Sequence, residues 1–222
     1  MDDAKTREVH FPPARAAGEV RGIVHWPEIP PSAGFVVTHG RSGNMQSPLV
    51  RRIASAVSES GVAALRMNFR YADEKAKASR DLRREEDDLR GAIRFLKAEV
   101  GTAPIFVAGT SMGARVCARA SSDPDVAGMI ALGYPLHPLF KPQVRDPPEW
   151  PMIAKPVLFV QGDQDPFCDL TRLREELSRL TVTHALVVIP DAGHTFEPKG
   201  LKRDTFPEVR DAVLGWLRQS RS

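Results

Sequence analysis

Gly109-Thr110-Ser111-Met112-Gly113 decides the fold of this chain, because this G-x-S-x-G pentapeptide stands between a strand pattern and a helix pattern. The apolar run 105–108 leads into it, and residues 114–121 continue with small and apolar residues at helical spacing. A strand that turns this sharply into a helix needs glycine on both sides and leaves the serine hydroxyl facing solvent. The stretch therefore predicts a nucleophile elbow, and a tight turn with an incidental serine is the alternative.

Short apolar runs alternate with longer helical patterns along the rest of the chain. This alternation is typical of a mostly parallel α/β sheet with helices on both faces. The predicted strands are residues 34–38, 62–69, 104–108, 126–132, 156–161 and 185–189. Residues 20–26 come before any helix and are predicted to form an antiparallel edge. We expect residues 1–222 to fold as one domain.

Helix signals fill the intervals between these strands. Ser47-Pro48 predicts a helix that ends at Ser60 before Gly61, and apolar stripes at helical spacing predict helices over residues 79–100, after Asp169 and near the C-terminus. Residues 134–155 are the one long irregular segment, with six prolines. They fall where a lid could sit but are too few for a cap domain, so we expect an open active site.

The composition excludes several classes of function. The net charge is +3, and basic residues are interspersed with acidic ones, which argues against a nucleic-acid partner. No run approaches the roughly 18 apolar residues of a membrane span, and the charged start of the chain lacks an apolar targeting segment, so we expect a cytoplasmic protein without a membrane partner. Cys117 and Cys168 form no C-x-x-C pair, so neither a metal site nor a disulfide is expected.

A serine hydroxyl is a poor nucleophile unless a base removes its proton and an acid orients that base. His194 follows the last predicted strand, and Asp165 follows the strand before it, so both side chains should reach the sheet edge where the elbow opens. Asp163 competes with Asp165 for the role of the acid, although we interpret it as a turn former. Ser111, Asp165 and His194 are therefore the predicted catalytic residues.

A tetrahedral intermediate also needs two donors for its oxyanion. One should be the backbone N–H of Met112, which directly follows the nucleophile. The second should come from the loop after residue 38, where the N–H of Arg41 is favoured and that of Ser42 is the alternative. His39 in this loop is interpreted as structural.

The order Ser111, Asp165, His194 along the chain is that of the α/β-hydrolases. The chain resembles this superfamily from Val20 to Trp216, and more narrowly the small, lidless dienelactone-hydrolase-like and testis-expressed hydrolase-like proteins. The stretches that carry the narrower resemblance are Thr38-His39-Gly40 with Asn44-Met45, residues 66–71, Tyr134-Pro135-Leu136-His137, and residues 156–162 with Asp165 and Cys168. The resemblance implies a cap-free serine hydrolase without a cofactor that acts on an ester or related acyl bond. Arg41 departs from the family, in which a small residue is common at this position.

Arg41, Ser42, Arg70 and His137 are candidate substrate-binding residues, because their loops should open onto the same edge. Two cations facing the cleft would favour a substrate that carries a carboxylate. The alternative is that the arginines are solvated or pair with Asp73, Glu74 or Asp163.

The sequence thus predicts a serine esterase or thioesterase that acts on a small-molecule acyl substrate. A peptidase or an acyltransferase would use the same residues, since fold does not decide substrate. A non-catalytic interaction module that keeps the fold is the hypothesis of a different class. Monomer and homodimer are both open.

Overall fold

One eight-stranded sheet forms the centre of the computed structural model, which describes residues 6–141, 143, 149–196 and 203–221. The strands are β1 (Thr6–Phe11), β2 (Val20–His25), β3 (Gly34–Thr38), β4 (Ala63–Met67), β5 (Ile105–Thr110), β6 (Val126–Leu132), β7 (Val157–Gly162) and β8 (His184–Ile189). Their spatial order is β1-β2-β4-β3-β5-β6-β7-β8. Within the described residues only β2 runs against the other strands. The predicted mostly parallel sheet is confirmed.

Helices cover both faces of the sheet, as expected. They are α1 (Pro48–Glu59), α2 (Arg70–Asp73), α3 (Arg83–Val100), α4 (Met112–Ala120), α5 (Leu170–Leu177) and α6 (Phe206–Ser220). One hydrophobic cluster contains the buried side chains of α1 and α6, and the other contains those of α3, α4 and α5. Strand side chains alternate between the two clusters, with Phe35 and Val37 on one face and Val36 on the other. None of the helices in the described ranges is long and apolar enough to cross a membrane.

The parallel strands place four loops at one edge of the sheet. β3 pairs with β5 so that Thr38 lies beside Gly109, and β7 pairs with β8 so that Gly162 lies beside Ile189. The segments that follow these four strand ends carry His39, Ser111, Asp165 and His194. Because carboxyl ends of parallel strands meet at a common edge, residues far apart in sequence become neighbours here.

Two glycines let β5 and α4 approach each other closely enough to form the turn at Ser111. A Cβ on Gly109 would lie 2.2 Å from the carbonyl carbon of Gly113, and one on Gly113 would lie 2.7 Å from the main-chain oxygen of His39. Neither gap can hold a methyl group. The glycines are therefore required by packing between elements as well as by the turn.

The structure corrects the prediction for the sheet edge. β2 is antiparallel, as expected, but it is covered by β1, which becomes the edge strand. β1 was missed because it alternates charged residues with only two buried apolar side chains, Val9 and Phe11. The third helix also begins later than predicted, at Arg83, because Leu82 adopts a left-handed conformation with φ of 57°.

Several described residues of the irregular segment 134–155 belong to the core. Tyr134, Leu136, Trp150 and Ile153 are buried against the sheet, and the indole N–H of Trp150 donates to the carbonyl of Glu176. Residues 142 and 144–148 lie outside the described residues. The buried residues of the segment thus pack beside the carboxyl edge, whereas Leu139, Phe140 and Met152 are exposed.

Alanine at Gly113 should destabilise the protein, whereas alanine at Gly215 should stabilise it. Both glycines lie in helices, where alanine is favoured by about 1 kcal/mol. A Cβ at position 215 meets only the Arg218 guanidinium, at 3.9 Å, but at position 113 it overlaps main chain. We expect Gly113→Ala to lower the free energy of unfolding by about 1 to 3 kcal/mol, as other overpacked sites do. Urea denaturation of both variants measures this, and a stabilising Gly113→Ala would contradict the packing described here.

Candidate active site

Ser111 occupies a strained turn between β5 and α4. Its backbone has φ of 53° and ψ of −117°, a conformation that non-glycine residues rarely adopt and that clusters at functional sites. Its N–H donates to the carbonyl of Leu132 at 3.0 Å, which fixes the turn against β6. The turn directs the hydroxyl into a cleft at the carboxyl edge.

The structure brings the three predicted catalytic side chains together. The Oγ of Ser111 lies 2.8 Å from Nε2 of His194, and Nδ1 of His194 lies 2.7 Å from Oδ2 of Asp165. An ionised carboxylate only accepts hydrogen bonds, so Nδ1 carries the ring proton and Nε2 is free to accept the serine proton. This geometry suits proton transfer from a hydroxyl to an imidazole.

Asp165 rather than Asp163 faces His194. The Asp165 side chain is fully buried, and its Oδ1 accepts a hydrogen bond from the N–H of Phe167 at 2.8 Å. Its Oδ2 accepts from the Nε2 of Gln161 at 2.5 Å as well as from His194. Asp163 is exposed, so its carboxylate does not take part in this network.

Direct packing joins the loops that carry Asp165 and His194. A Cβ on Gly162 would lie 2.2 Å from the carbonyl oxygen of Ala192, so only glycine allows this approach. The N–H of Gln164 donates to that same oxygen at 2.9 Å. The ring of Phe167 packs on the ring of His194 at a centroid distance of 4.5 Å. These contacts fix the imidazole between the carboxylate and the serine.

Hydrogen bonds of the His39 and Tyr71 side chains fix the loop after β3. His39 is buried, and its Nε2 accepts from the N–H of Phe69 at 3.1 Å while its Nδ1 lies 2.7 Å from the carbonyl of Gly40. Burial lowers the pKa of His39, so the ring is neutral and donates through Nδ1. The Tyr71 hydroxyl donates to the carbonyls of Gly40 and Arg41 at 3.3 and 3.0 Å. Burial, with the charge of Glu85, raises the pKa of Tyr71, which keeps the phenol a donor.

Tyr71 thereby orients the candidate oxyanion donors. A trans peptide points its N–H opposite to its C=O, so carbonyls of Gly40 and Arg41 that face Tyr71 turn the N–H groups of Arg41 and Ser42 away from it. Gly40, Arg41 and Ser42 line the cleft beside Ser111. Met112 begins α4, so its N–H has no acceptor within the helix. Arg41 and Ser42 both stay candidates for the second donor.

The cleft over Ser111 has a volume of about 600 Å³. Ligand sites for small molecules have volumes of this order. Its apolar wall comprises Pro48, Leu49, Val50, Pro135, Pro138 and Phe167. These side chains line the same cleft as Ser111 and His194, so an apolar group can be buried beside the serine hydroxyl.

Arg70 does not lie in this cleft, so its predicted role in substrate binding is wrong. Its side chain is buried, and its Nε donates to Asp88 Oδ1 at 2.5 Å. A second guanidinium nitrogen donates to the carbonyl of Ala17 at 2.9 Å. The sequence suggested Asp73, Glu74 or Asp163 as possible partners, whereas the acid lies on α3. This buried carboxylate draws the guanidinium away from the sheet edge.

His137 lines the cleft, but its ring nitrogens are occupied by main chain. Its Nε2 accepts from the N–H of Asp169 at 2.8 Å, and its Nδ1 lies 2.8 Å from the carbonyl of Pro138. The ring can therefore offer a substrate only its carbon edge. Arg41 and Ser42 lie at the cleft and are exposed.

Sequence reasoning missed Arg115, which also lines the cleft. Its Nε and Nη2 bind the two carboxylate oxygens of Glu149 at 2.8 and 2.7 Å. Glu149 is buried, and its ion pair with Arg115 connects the start of segment 149–155 to α4, the helix that begins after Ser111. The partners are 34 residues apart, and no local pattern pairs them.

Neither cysteine is a nucleophile here. Both are buried and free, and burial raises the pKa of Cys117 to about 12. Burial also raises the pKa of Cys168, with a further contribution from the charge of Asp165. Thiols that stay protonated are unreactive, so neither cysteine is a candidate nucleophile.

Comparisons with known proteins agree with this fold. A family model described as an alpha/beta hydrolase domain matches residues 31–215. An alpha-beta serine hydrolase homologue from Coxiella burnetii has a TM-score of 0.78 at 22% identity, with 95% of this chain and 97% of that chain covered. An a/b serine hydrolase without a lid from Xanthomonas campestris gives 0.76 at 23% identity, with 98% and 95% covered. Dienelactone hydrolase from Anabaena variabilis gives 0.75 at 20%, with 97% and 98% covered.

Replacing Arg70 with methionine should destabilise the protein in a pH-dependent way. Burial raises the pKa of Asp88 from 3.8 to about 6 although Arg70 opposes the rise, and removing Arg70 raises it further. The pKa of Asp88 is higher in the folded protein than in the unfolded chain. The contribution of Asp88 to stability therefore falls as the pH rises from about 4 through its pKa in the folded protein. We expect Arg70→Met to lower the free energy of unfolding by about 3 kcal/mol or more at pH 8. The decrease should be smaller at pH 5, where the carboxyl of Asp88 binds a proton. Urea denaturation at both pH values measures this, and an equal loss at both would contradict the assignment.

Proposed function

The chain belongs to the alpha/beta hydrolase family, and from that premise we propose that it is a serine hydrolase that cleaves an ester or thioester bond of a small substrate. In this proposal Ser111 is the nucleophile, His194 the general base and Asp165 the residue that orients the base. The single observation that supports it most is the pair of short contacts from His194, 2.8 Å to Ser111 Oγ and 2.7 Å to Asp165 Oδ2. A fold alone does not require a buried carboxylate, an imidazole and a strained serine in one line.

The reaction proceeds in two steps. The Ser111 hydroxyl gives its proton to Nε2 of His194 while Oγ attacks the acyl carbon, and Asp165 stabilises the imidazolium that forms. The tetrahedral oxyanion accepts hydrogen bonds from the N–H of Met112 and from that of Arg41 or Ser42. The intermediate collapses as His194 protonates the departing alcohol or thiol, which leaves an acyl group on Ser111. Water then attacks this ester with His194 again as base and releases the acid.

The substrate class follows from the shape of the cleft. A volume of about 600 Å³ suits a small molecule, and the apolar wall suits an aliphatic or aromatic acyl group. Arg41 is exposed at the rim, while Arg115 is neutralised by Glu149. We therefore expect uncharged esters to be accepted, with Arg41 adding a preference for an anionic substituent. The cytoplasmic location and the absence of a cofactor stay predictions.

A fluorophosphonate probe separates the enzyme from a non-catalytic module that keeps the fold. The wild-type protein should be labelled, and Ser111→Ala should abolish labelling because the activated hydroxyl is the nucleophile. Ser55→Ala is the matched control, since Ser55 lies on α1 and bonds Glu59. Gel fluorescence together with a thermal unfolding curve reads the result. A folded wild-type protein that takes no label would instead support the interaction module.

Asp165→Asn and Asp163→Asn test the choice between the two neighbouring acids. Asparagine at 165 removes the charge that holds His194 in its tautomer, and we expect kcat to fall by about 10³- to 10⁴-fold. Asp163 is exposed and outside the network, so its asparagine variant should keep kcat within about twofold. Steady-state hydrolysis of a p-nitrophenyl ester measures both. A larger fall in kcat in Asp163→Asn than in Asp165→Asn would assign the role of the orienting acid to Asp163.

A further inference from the structure

Gln161 occupies a position where the sheet needs an apolar side chain. It lies in β7 and is fully buried, with no exposed surface. Alternation along this strand places it on the same face as Val157 and Phe159, which both belong to the cluster beneath α3, α4 and α5. A polar amide at such a core position is uncommon unless it has a partner.

The partner of Gln161 is the candidate catalytic carboxylate. Its Nε2 donates to Oδ2 of Asp165 at 2.5 Å, and this same oxygen accepts from Nδ1 of His194 at 2.7 Å. The amide cannot be reversed, because a carbonyl oxygen at that distance from a carboxylate would be repelled. Gln161 therefore adds a second donor to the oxygen that holds the imidazole.

The other half of the amide is unsatisfied. The Oε1 of Gln161 is buried and has no hydrogen-bond partner among the described residues. A buried acceptor without a partner costs stability, so an isosteric apolar residue would serve the fold about as well. The contact with Asp165 is what accounts for an amide at this position.

We propose that Gln161 is a positioning residue, whose amide fixes the rotamer of Asp165 and moderates the hold of this carboxylate on His194. The inference rests on the proposed function, since it assigns a partner to the acid of that mechanism. Two donors that share one oxygen divide its negative charge. Without the amide, Oδ2 of Asp165 keeps more of its negative charge and binds the imidazolium more strongly, so His194 stays protonated to a higher pH and is a poorer base.

The surroundings of the carboxylate leave few other groups to produce such an effect. Within the described part of the chain, the recorded polar contacts of Asp165 are Gln161, His194 and main chain of its own turn. The charge of Asp165 also acts on the Cys168 thiol, but burial raises the pKa of that thiol and keeps it neutral. A change in the behaviour of His194 on substitution of Gln161 would therefore be transmitted through Asp165.

Gln161→Met tests the proposal, with Gln161→Leu as a second variant and Phe159→Leu as the matched control. Methionine matches the length of glutamine but cannot donate, and Phe159 lies on the same strand and face but has no polar side-chain atom that could bond to Asp165. The first measurement is the pH titration of the His194 ring by NMR, assigned by comparison with His194→Gln. It needs no turnover and so does not depend on the proposed function. The second is the pH profile of kcat and KM with a neutral ester.

We expect the His194 midpoint to rise by roughly half a pH unit or more in Gln161→Met and to stay unchanged in Phe159→Leu. The kcat at neutral pH should fall by about threefold or more with KM nearly constant, because half a pH unit is about threefold in the deprotonated fraction of His194, and the acidic limb of the profile should move to higher pH. An unchanged midpoint in both folded position-161 variants would overturn the inference even if the enzyme is active. A shifted midpoint in a protein that hydrolyses no ester would support the inference and refute the proposed function.

Discussion

The close contact between the backbones of Gly109 and Gly113 is the constraint on which the rest of the site depends. Because β5 meets α4 with no room for a side chain at either glycine, the three residues between them must form a tight turn, in which Ser111 has a positive φ of 53°. The strain is local, whereas the forces that hold it are distributed. β3 packs on Gly113, and the N–H of Ser111 bonds to β6. The hydroxyl is thus placed by packing before any partner side chain is considered.

The same kind of constraint brings the partners to the serine. His194 is 83 residues from Ser111 and 29 residues from Asp165 along the chain. All three residues nevertheless follow strands that end at one edge of the sheet. At Gly162 the main chain of β7 touches the loop that carries His194, and hydrogen bonds then join the two loops. Tyr71 and Gln161 lie one layer further out, where they donate hydrogen bonds to the loop after β3 and to the carboxylate of Asp165. The reactive geometry is therefore fixed by main-chain contacts and tuned by buried polar side chains.

Much of the fold and of the candidate site was predictable from local sequence patterns, because strand ends and glycine turns have recognisable residue types. The parallel strands, the turn at Ser111 and the choice of Asp165 and His194 all came from residues next to apolar runs. β1 was missed because an exposed edge strand needs only two apolar side chains. Arg70 was misplaced, and the contacts of Arg115, Tyr71 and Gln161 were not predicted, because each is defined by a partner outside its own element. Arg70 and Asp88 meet only once α2 packs on α3, and neither has a sequence pattern that foretells the pairing.

The most direct test of the account is to trap the covalent intermediate. The wild-type protein would be mixed with excess p-nitrophenyl acetate, quenched with acid within milliseconds and weighed intact by mass spectrometry, and the adduct would then be located by peptide mapping. The account predicts a single added acetyl group on Ser111 that appears faster than turnover and disappears as the acid is released. Hydrolysis at full rate with no adduct, or an adduct on any other residue that forms and decays at the rate of turnover, would contradict it.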